Sequence, residues 1–182
     1  IEFEGQFRVT ESLTLSAMFG YNDSEVKTFG FQPNGRPNCA DCDNAYGSFD
    51  GAIGNRLPVA PIYTYGLTAD YRRPIPGDLE LVARGDWTYQ GKRYTDVSNT
   101  AFIGGFGNLN LSVGVRRENW SLTAFATNAT DNDTLLQALP GVDVLGFGLL
   151  PLGPAAGGVL ANELRFSAPI PRAYGVRFTY DF

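Results

Sequence analysis

The sequence predicts an all-β chain, a run of antiparallel strands from a transmembrane β-barrel, on three observations. Apolar and polar residues alternate with period two through seven stretches, most of these stretches run about ten residues, and the connections between them alternate short and long. Period two sends successive side chains to opposite faces, so each stretch has its two faces in different environments. About 9–11 residues carry a tilted strand across a bilayer, whereas ordinary strands centre on about five or six. Short turns at one end and longer loops at the other are the pattern of membrane barrels.

The first stretch, residues 1–10, alternates without a miss: Ile1, Phe3, Gly5, Phe7 and Val9 against Glu2, Glu4, Gln6, Arg8 and Thr10. Glu11 and Ser12 make a short turn, and the return strand sets Leu13, Leu15, Ala17, Phe19 and Tyr21 on one side, with Met18 the exception on the other. A long polar segment rich in Gly, Asn and Asp follows over residues 23–59. The third strand offers Tyr63, Tyr65, Leu67, Ala69 and Tyr71. Residues 73–78, Arg-Pro-Ile-Pro-Gly-Asp, are expected as a tight turn, because Pro presets φ and Gly accepts positive φ. The fourth strand places Leu79, Leu81, Ala83, Gly85, Trp87 and Tyr89 on its apolar side, and Val82 interrupts the polar one.

A medium loop over residues 91–105 leads to a fifth strand with Leu109, Leu111, Val113 and Val115. Arg117, Glu118 and Asn119 turn the chain into a sixth, with Trp120, Leu122, Ala124 and Ala126 on one side and Phe125 out of pattern. A second long loop is expected over residues 129–171, and a last strand over 172–182 carries Tyr174, Val176, Phe178, Tyr180 and Phe182. With Phe182 on the side of the short turns, Tyr21, Tyr63, Tyr65, Trp87, Tyr89 and Tyr174 fall at one rim. Tyr71, Trp120, Tyr180 and Phe182 fall at the other. Amphipathic rings favour both membrane interfaces, so two aromatic girdles are expected of a membrane barrel and not of a soluble two-sheet core.

Composition narrows the function. A net charge of −5 over 182 residues argues against nucleic acid, which selects basic stripes. No His is present, which removes Ser-His-Asp hydrolysis and every His-containing metal motif, so neither an enzyme nor a cofactor is expected. Thirteen Phe, nine Tyr and two Trp with 22 Gly suit strands and turns. Seven strands is an odd number, whereas bacterial single-chain barrels close with an even one, and the chain opens at Ile1 directly into a strand. Further strands are therefore expected before Ile1.

Three motifs carry a resemblance. Leu57-Pro58-Val59-Ala60-Pro61-Ile62-Tyr63-Thr64-Tyr65, Asn128-Ala129-Thr130-Asp131-Asn132 and the closing stretch from Pro171 to Phe182 occur in that order at matching strand positions. They resemble the C-terminal end of a TonB-dependent receptor, with Ala129 standing where Leu is usual. The likeness covers nearly the whole chain. It implies that residues 1–182 are the C-terminal part of a larger, 22-stranded barrel, without the plug domain and earlier strands. It further implies a bacterial outer-membrane location, surrounding outer-membrane lipid, and active import of a scarce solute such as an iron-siderophore. TonB would couple the energy through N-terminal parts outside this stretch. The resemblance also makes the last strand, Tyr174, Val176, Phe178, Tyr180 and Phe182, the signal read by the insertion machinery. A smaller barrel acting as a passive channel or structural protein is the alternative, and a soluble β-sandwich binding module the third.

Candidate sites are few. Cys39 and Cys42 form a C-x-x-C, and a loop disulfide is favoured over a redox pair or half a metal site, since no second Cys pair or His completes one. Asp41, Asp43 and Asp50 hint at calcium, but the spacing of an EF-hand fails at Ala45 and Gly47, and Asp131 and Asp133 read equally as solvated loop. Residues 144–162 carry no charge, a pattern open to an apolar lid over a ligand or to packing between loops. Glu2, Glu4, Arg8, Asp70, Glu80, Arg84, Asp86, Arg116 and Arg177 share the polar faces, where they could line a path or pair with one another or with a plug.

Overall fold

The computed structural model describes residues 1–27, 53–97, 99, 101–142 and 162–182. Seven long strands form one antiparallel sheet in chain order: β1 Glu2–Arg8, β2 Leu13–Tyr21, β3 Tyr63–Ile75, β4 Leu79–Gln90, β7 Phe106–Arg117, β8 Trp120–Thr127 and β11 Ala173–Tyr180. Two small hairpins lie outside it, β5 Arg93–Tyr94 with β6 Phe102–Ile103, and β9 Gln137–Val142 with β10 Asn162–Ser167. The sheet is open, with β1 and β11 at its edges.

Register turns the alternation of single strands into two continuous faces. One row runs Phe7, Leu15, Ala69, Gly85, Leu111, Ala126 and Tyr174 across all seven strands. Its neighbour on the opposite face runs Arg8, Thr14, Asp70, Arg84, Ser112, Phe125 and Gly175. A slip of one residue between any two strands would exchange the faces, so the matched patterns hold each pairing in place. The apolar face is uncovered: Leu67 is 55% exposed, Val113 52% and Val176 70%. Among the described residues the buried hydrophobic side chains are Val26, Ile103 and Ala138, all outside the seven-stranded sheet.

The strand connections fall into two classes by end. At one end are residues 9–12, 76–78 and 118–119. There Thr10 Oγ1 accepts the amide hydrogens of Ser12 (3.2 Å) and Leu13 (3.0 Å), while Gly77 (φ 88°) and Asp78 (φ 55°) turn β3 into β4. All the long connections lie at the other end.

Four expectations about boundaries are corrected. The expected turn over residues 73–78 shrinks to 76–78, because β3 continues through Pro74, opposite Glu80, to Ile75. A proline is tolerated there because β2 has already ended: its last partner is Tyr71, followed by Arg72 N–H donating to Ser12 O at 2.8 Å. Pro74 therefore lacks an N–H only where no neighbouring strand needs one. Residues 129–171 are not one plain loop, since β9 and β10 pair within them, and the medium loop over 91–105 holds the β5–β6 hairpin. The first strand, expected over residues 1–10, is Glu2–Arg8.

Candidate functional site

On the polar face the central charges pair with one another. The Arg84 guanidinium grips Asp86 with two bonds, Nε to Oδ2 at 2.8 Å and Nη2 to Oδ1 at 2.6 Å, and Nη1 reaches Asp70 at 3.1 Å. Thr68 Oγ1 donates to Asp86 Oδ1 at 2.9 Å. Asp70 on β3 stands directly opposite Arg84 on β4, and Asp86 follows Arg84 by two residues on the same strand and face, so the pairing follows from the alternation itself. Four residues along β4 toward the short turns, the Glu80 carboxylate pairs with Arg116 Nε, and Arg177 lies over the Phe125 ring at 5.5 Å. Glu2, Glu4 and Arg8 lie on edge strand β1 and are not brought to these pairs. The result is a wall of fixed, paired charges suited to facing water, with two carboxylates around one guanidinium at its centre.

The long-loop end is knitted across distant parts of the chain. Asn99 (φ 56°) accepts from Arg56 N–H through Oδ1 at 2.9 Å and donates from Nδ2 to Arg56 O at 2.9 Å. Arg56 itself bonds Asp23 at 3.0 Å, Asn55 Nδ2 reaches Val97 O at 2.9 Å, and Val59 N–H donates to Tyr94 O at 2.8 Å. Arg93, only 5% exposed, donates to Gln90 Oε1 at 2.8 Å and to the Leu136 carbonyl, and its guanidinium stacks on Phe106 at 5.4 Å. Burial pushes the Arg93 guanidinium below its usual pKa. One side chain thus ties the end of β4, the start of β7 and the segment before β9. Lys92 lies 4.6 Å above the Tyr94 ring and 4.1 Å from that of Phe102.

A second knot closes β8. Asn128, 2% exposed with φ 47°, donates to Asn132 O and Ile170 O, each at 2.9 Å, and accepts Asn132 N–H at 2.8 Å. Its own N–H donates to Asn110 Oδ1 at 3.1 Å. Asn tolerates this left-handed backbone better than most residues, and its amide bonds three main-chain groups, the N–H and O of Asn132 and the O of Ile170. Arg172 reaches Asp131 at 3.3 Å across the same corner, giving Asp131 an ion-pair role.

The aromatic residues expected at two rims are found at the two ends. Tyr21 and Tyr63 rings lie 5.3 Å apart, and Tyr65 stacks on Tyr89 at 4.5 Å beside Trp87, all toward the long loops, as is Tyr174 at the start of β11. Trp120 stands opposite Tyr180 at the short-turn end, where Tyr180 packs edge-on to Phe182 at 5.2 Å. Tyr174, Val176, Phe178 and Tyr180 share one face of β11, and Phe182 follows the strand. Cys39, Cys42, Asp41, Asp43, Asp50 and the uncharged segment lie outside the described residues, apart from Asn162 at the start of β10. Arg93, Arg56 and Asn99 were not foreseen, because nothing local marks residues that meet more than 40 positions apart. Asn128 carried a signal, its place in a family-like motif, without its role.

Comparison with known proteins agrees with this architecture. A family model described as TonB dependent receptor-like, beta-barrel matches residues 1–129. The ferric yersiniabactin uptake receptor FyuA from Yersinia pestis has a similar fold, with a TM-score of 0.65 and 17% identity, covering 100% of this chain and 23% of that one. The siderophore receptor PiuA from Acinetobacter baumannii gives 0.64 and 18%, covering 97% and 20%. BauA, the ferric preacinetobactin receptor from the same species, gives 0.60 and 18%, covering 97% and 21%. The chain thus spans about a fifth to a quarter of the length of these receptors.

Proposed function

Because this chain belongs to the TonB-dependent receptor-like β-barrel family, a family of receptors and transporters rather than enzymes, we propose that it forms part of the wall of a bacterial outer-membrane receptor for a scarce solute. The observation that carries the membrane setting is the apolar face, seven strands wide, uncovered and continuous. In water such a face would aggregate; against hydrocarbon it is the favourable surface. The paired charges of Asp70, Arg84 and Asp86 then face the water-filled interior, the long loops face outward, and the short turns face the periplasm.

The solute is read as an iron-siderophore, supported by solved receptors of that kind having the same fold. Residues 1–182 are read as the C-terminal part of a 22-stranded barrel, with a plug domain and TonB contacts contributed by other parts of the parent protein. Tyr174, Val176, Phe178, Tyr180 and Phe182 are read as the strand recognised during insertion. Expression of the full-length protein in a receptor-deficient strain, with a panel of radiolabelled ferric siderophores, tests this function. Accumulation of one of them in TonB-positive cells and its loss in TonB-negative cells is expected. Equal accumulation in both strains would establish a passive channel instead.

A further inference from the structure

The apolar face carries two arginines, and both lie at its short-turn end. Arg73 stands directly opposite Leu81, which pairs in turn with Val115, so its register puts it on the face that carries Leu, Val and Ala. Arg117 stands opposite Trp120, in the row that continues to Tyr180. Both side chains are exposed. From strand spacing and rise, the two Cα atoms lie roughly 12 Å apart, two strands across and two residues along.

Their surroundings mark the depth. Tyr71 precedes Arg73 by two residues on the same face, and Trp120 with Tyr180 flank Arg117, so both guanidiniums stand at the level of interfacial aromatic rings. Arg117 reaches one carboxylate, Asp78 at 3.3 Å, whose own side chain is almost fully exposed. Glu80 lies on the opposite face and is engaged by Arg116. Glu118 is exposed in the turn beyond. Among the described residues Arg73 has no ion-pair partner. An unpaired guanidinium beside hydrocarbon is stable only if its long stem reaches the interface and its head finds an anion there.

We propose that Arg73 and Arg117 bind the phosphate of a phospholipid in the periplasmic leaflet, Arg73 as the principal ligand and Arg117 as the second, with Trp120 and Leu81 against the acyl chains. A guanidinium matches a phosphodiester through paired N–H donors, and the aromatic rings beside it hold the glycerol level. The proposal rests on the outer-membrane reading above, which places phospholipid at this end.

The test titrates phosphatidylglycerol into the detergent-solubilised full-length protein and counts bound lipid by native mass spectrometry. Arg73→Gln is expected to weaken binding roughly fivefold, in line with the contribution of one arginine near an anionic surface. Arg73→Lys should keep most of it, Arg117→Gln should cost less than Arg73→Gln, and Arg172→Gln, at the opposite end, should change nothing. Equal binding by wild type and Arg73→Gln, or an equal loss in Arg172→Gln, overturns the site. So does lipopolysaccharide outcompeting phosphatidylglycerol at wild type but not at Arg73→Gln, which would assign these arginines to the other leaflet. Heat-modifiable gel mobility of the same wild-type preparation separates the two readings. A heat-modifiable barrel without Arg73-dependent lipid leaves the membrane barrel standing, and a protein without that mobility overturns both.

Discussion

On the apolar face Leu67 and Val113 stand half-uncovered among alanines, leucines and aromatic rings, and no neighbour singles them out. On the polar face Asp86 is held by two atoms of Arg84 and by Thr68, each bond with its own length and direction. The two faces of the same strands therefore answer to different physics. In the membrane setting proposed above, the apolar one needs only to be apolar, because fluid hydrocarbon makes no directional demand. The polar side is specified pair by pair, and the strength of that specification depends on how far water is excluded: Arg84 remains half-exposed, whereas Asn128 is sealed.

That contrast can be broken most directly by moving charge between faces. Leu67→Arg and Val113→Arg should each destabilise the inserted barrel by about 2–4 kcal/mol, the depth-dependent penalty for a cation facing lipid. Thr68→Arg and Ser112→Arg, one residue away, should cost markedly less, because the new cation meets water and, at Thr68, the carboxylates of Asp70 and Asp86. Urea unfolding of the full-length protein in lipid measures all four, and equal losses would erase the distinction between the faces.

Asn128→Ala sharpens the polar half of the comparison. It strips partners from Asn132 and Ile170 in a site closed to water and asks Ala to hold φ near 47°. The combined loss should be roughly 3 kcal/mol. Asn128→Gly, which relieves only the backbone part, should recover about 1 kcal/mol of it in the same titration.

The smallest effect is expected at the most conspicuous ion pair. Arg84→Met removes the guanidinium's bonds to Asp70 and Asp86 and leaves Asp86 its bond from Thr68, yet these groups are exposed enough to be solvated, so the change should stay within about 1 kcal/mol. A loss near that of Leu67→Arg would mean that the wall of paired charges is desolvated and structural.

Much of this was legible in the residues themselves. The seven long strands and both faces follow from period two, and pairing in register merely aligns patterns already present in each strand. Pro74 misled because a proline reads as a turn unless one knows that the strand beside it has stopped at Leu13. The β9–β10 hairpin escaped because Pro140 and Gly141 break its alternation, and because hydrogen bonding to Asn162 and its neighbours supplies what local propensity does not. Arg93 was invisible for a stronger reason. A buried arginine between Gln90, Leu136 and Phe106 exists only once the loop between β4 and β7 has met the segment before β9, and no short window of sequence contains them all.

The row from Phe7 to Tyr174 has a consequence for measuring depth. It begins one residue from the end of β1 and finishes one residue from the start of β11, so it passes from the short-turn end to the long-loop end while staying on one face. Membrane barrels tilt their strands by roughly 35–45°, and six strand spacings of ~4.8 Å at that tilt change height by roughly 19 Å. In the proposed membrane setting, seven positions, one per strand, then sample the bilayer like rungs of a ladder from one headgroup region nearly to the other. A spin label moved along Phe7, Leu15, Ala69, Gly85, Leu111, Ala126 and Tyr174 would meet oxygen at the middle rungs and water at the outermost. The sheet carries its own depth gauge, graduated by the stagger of its strands.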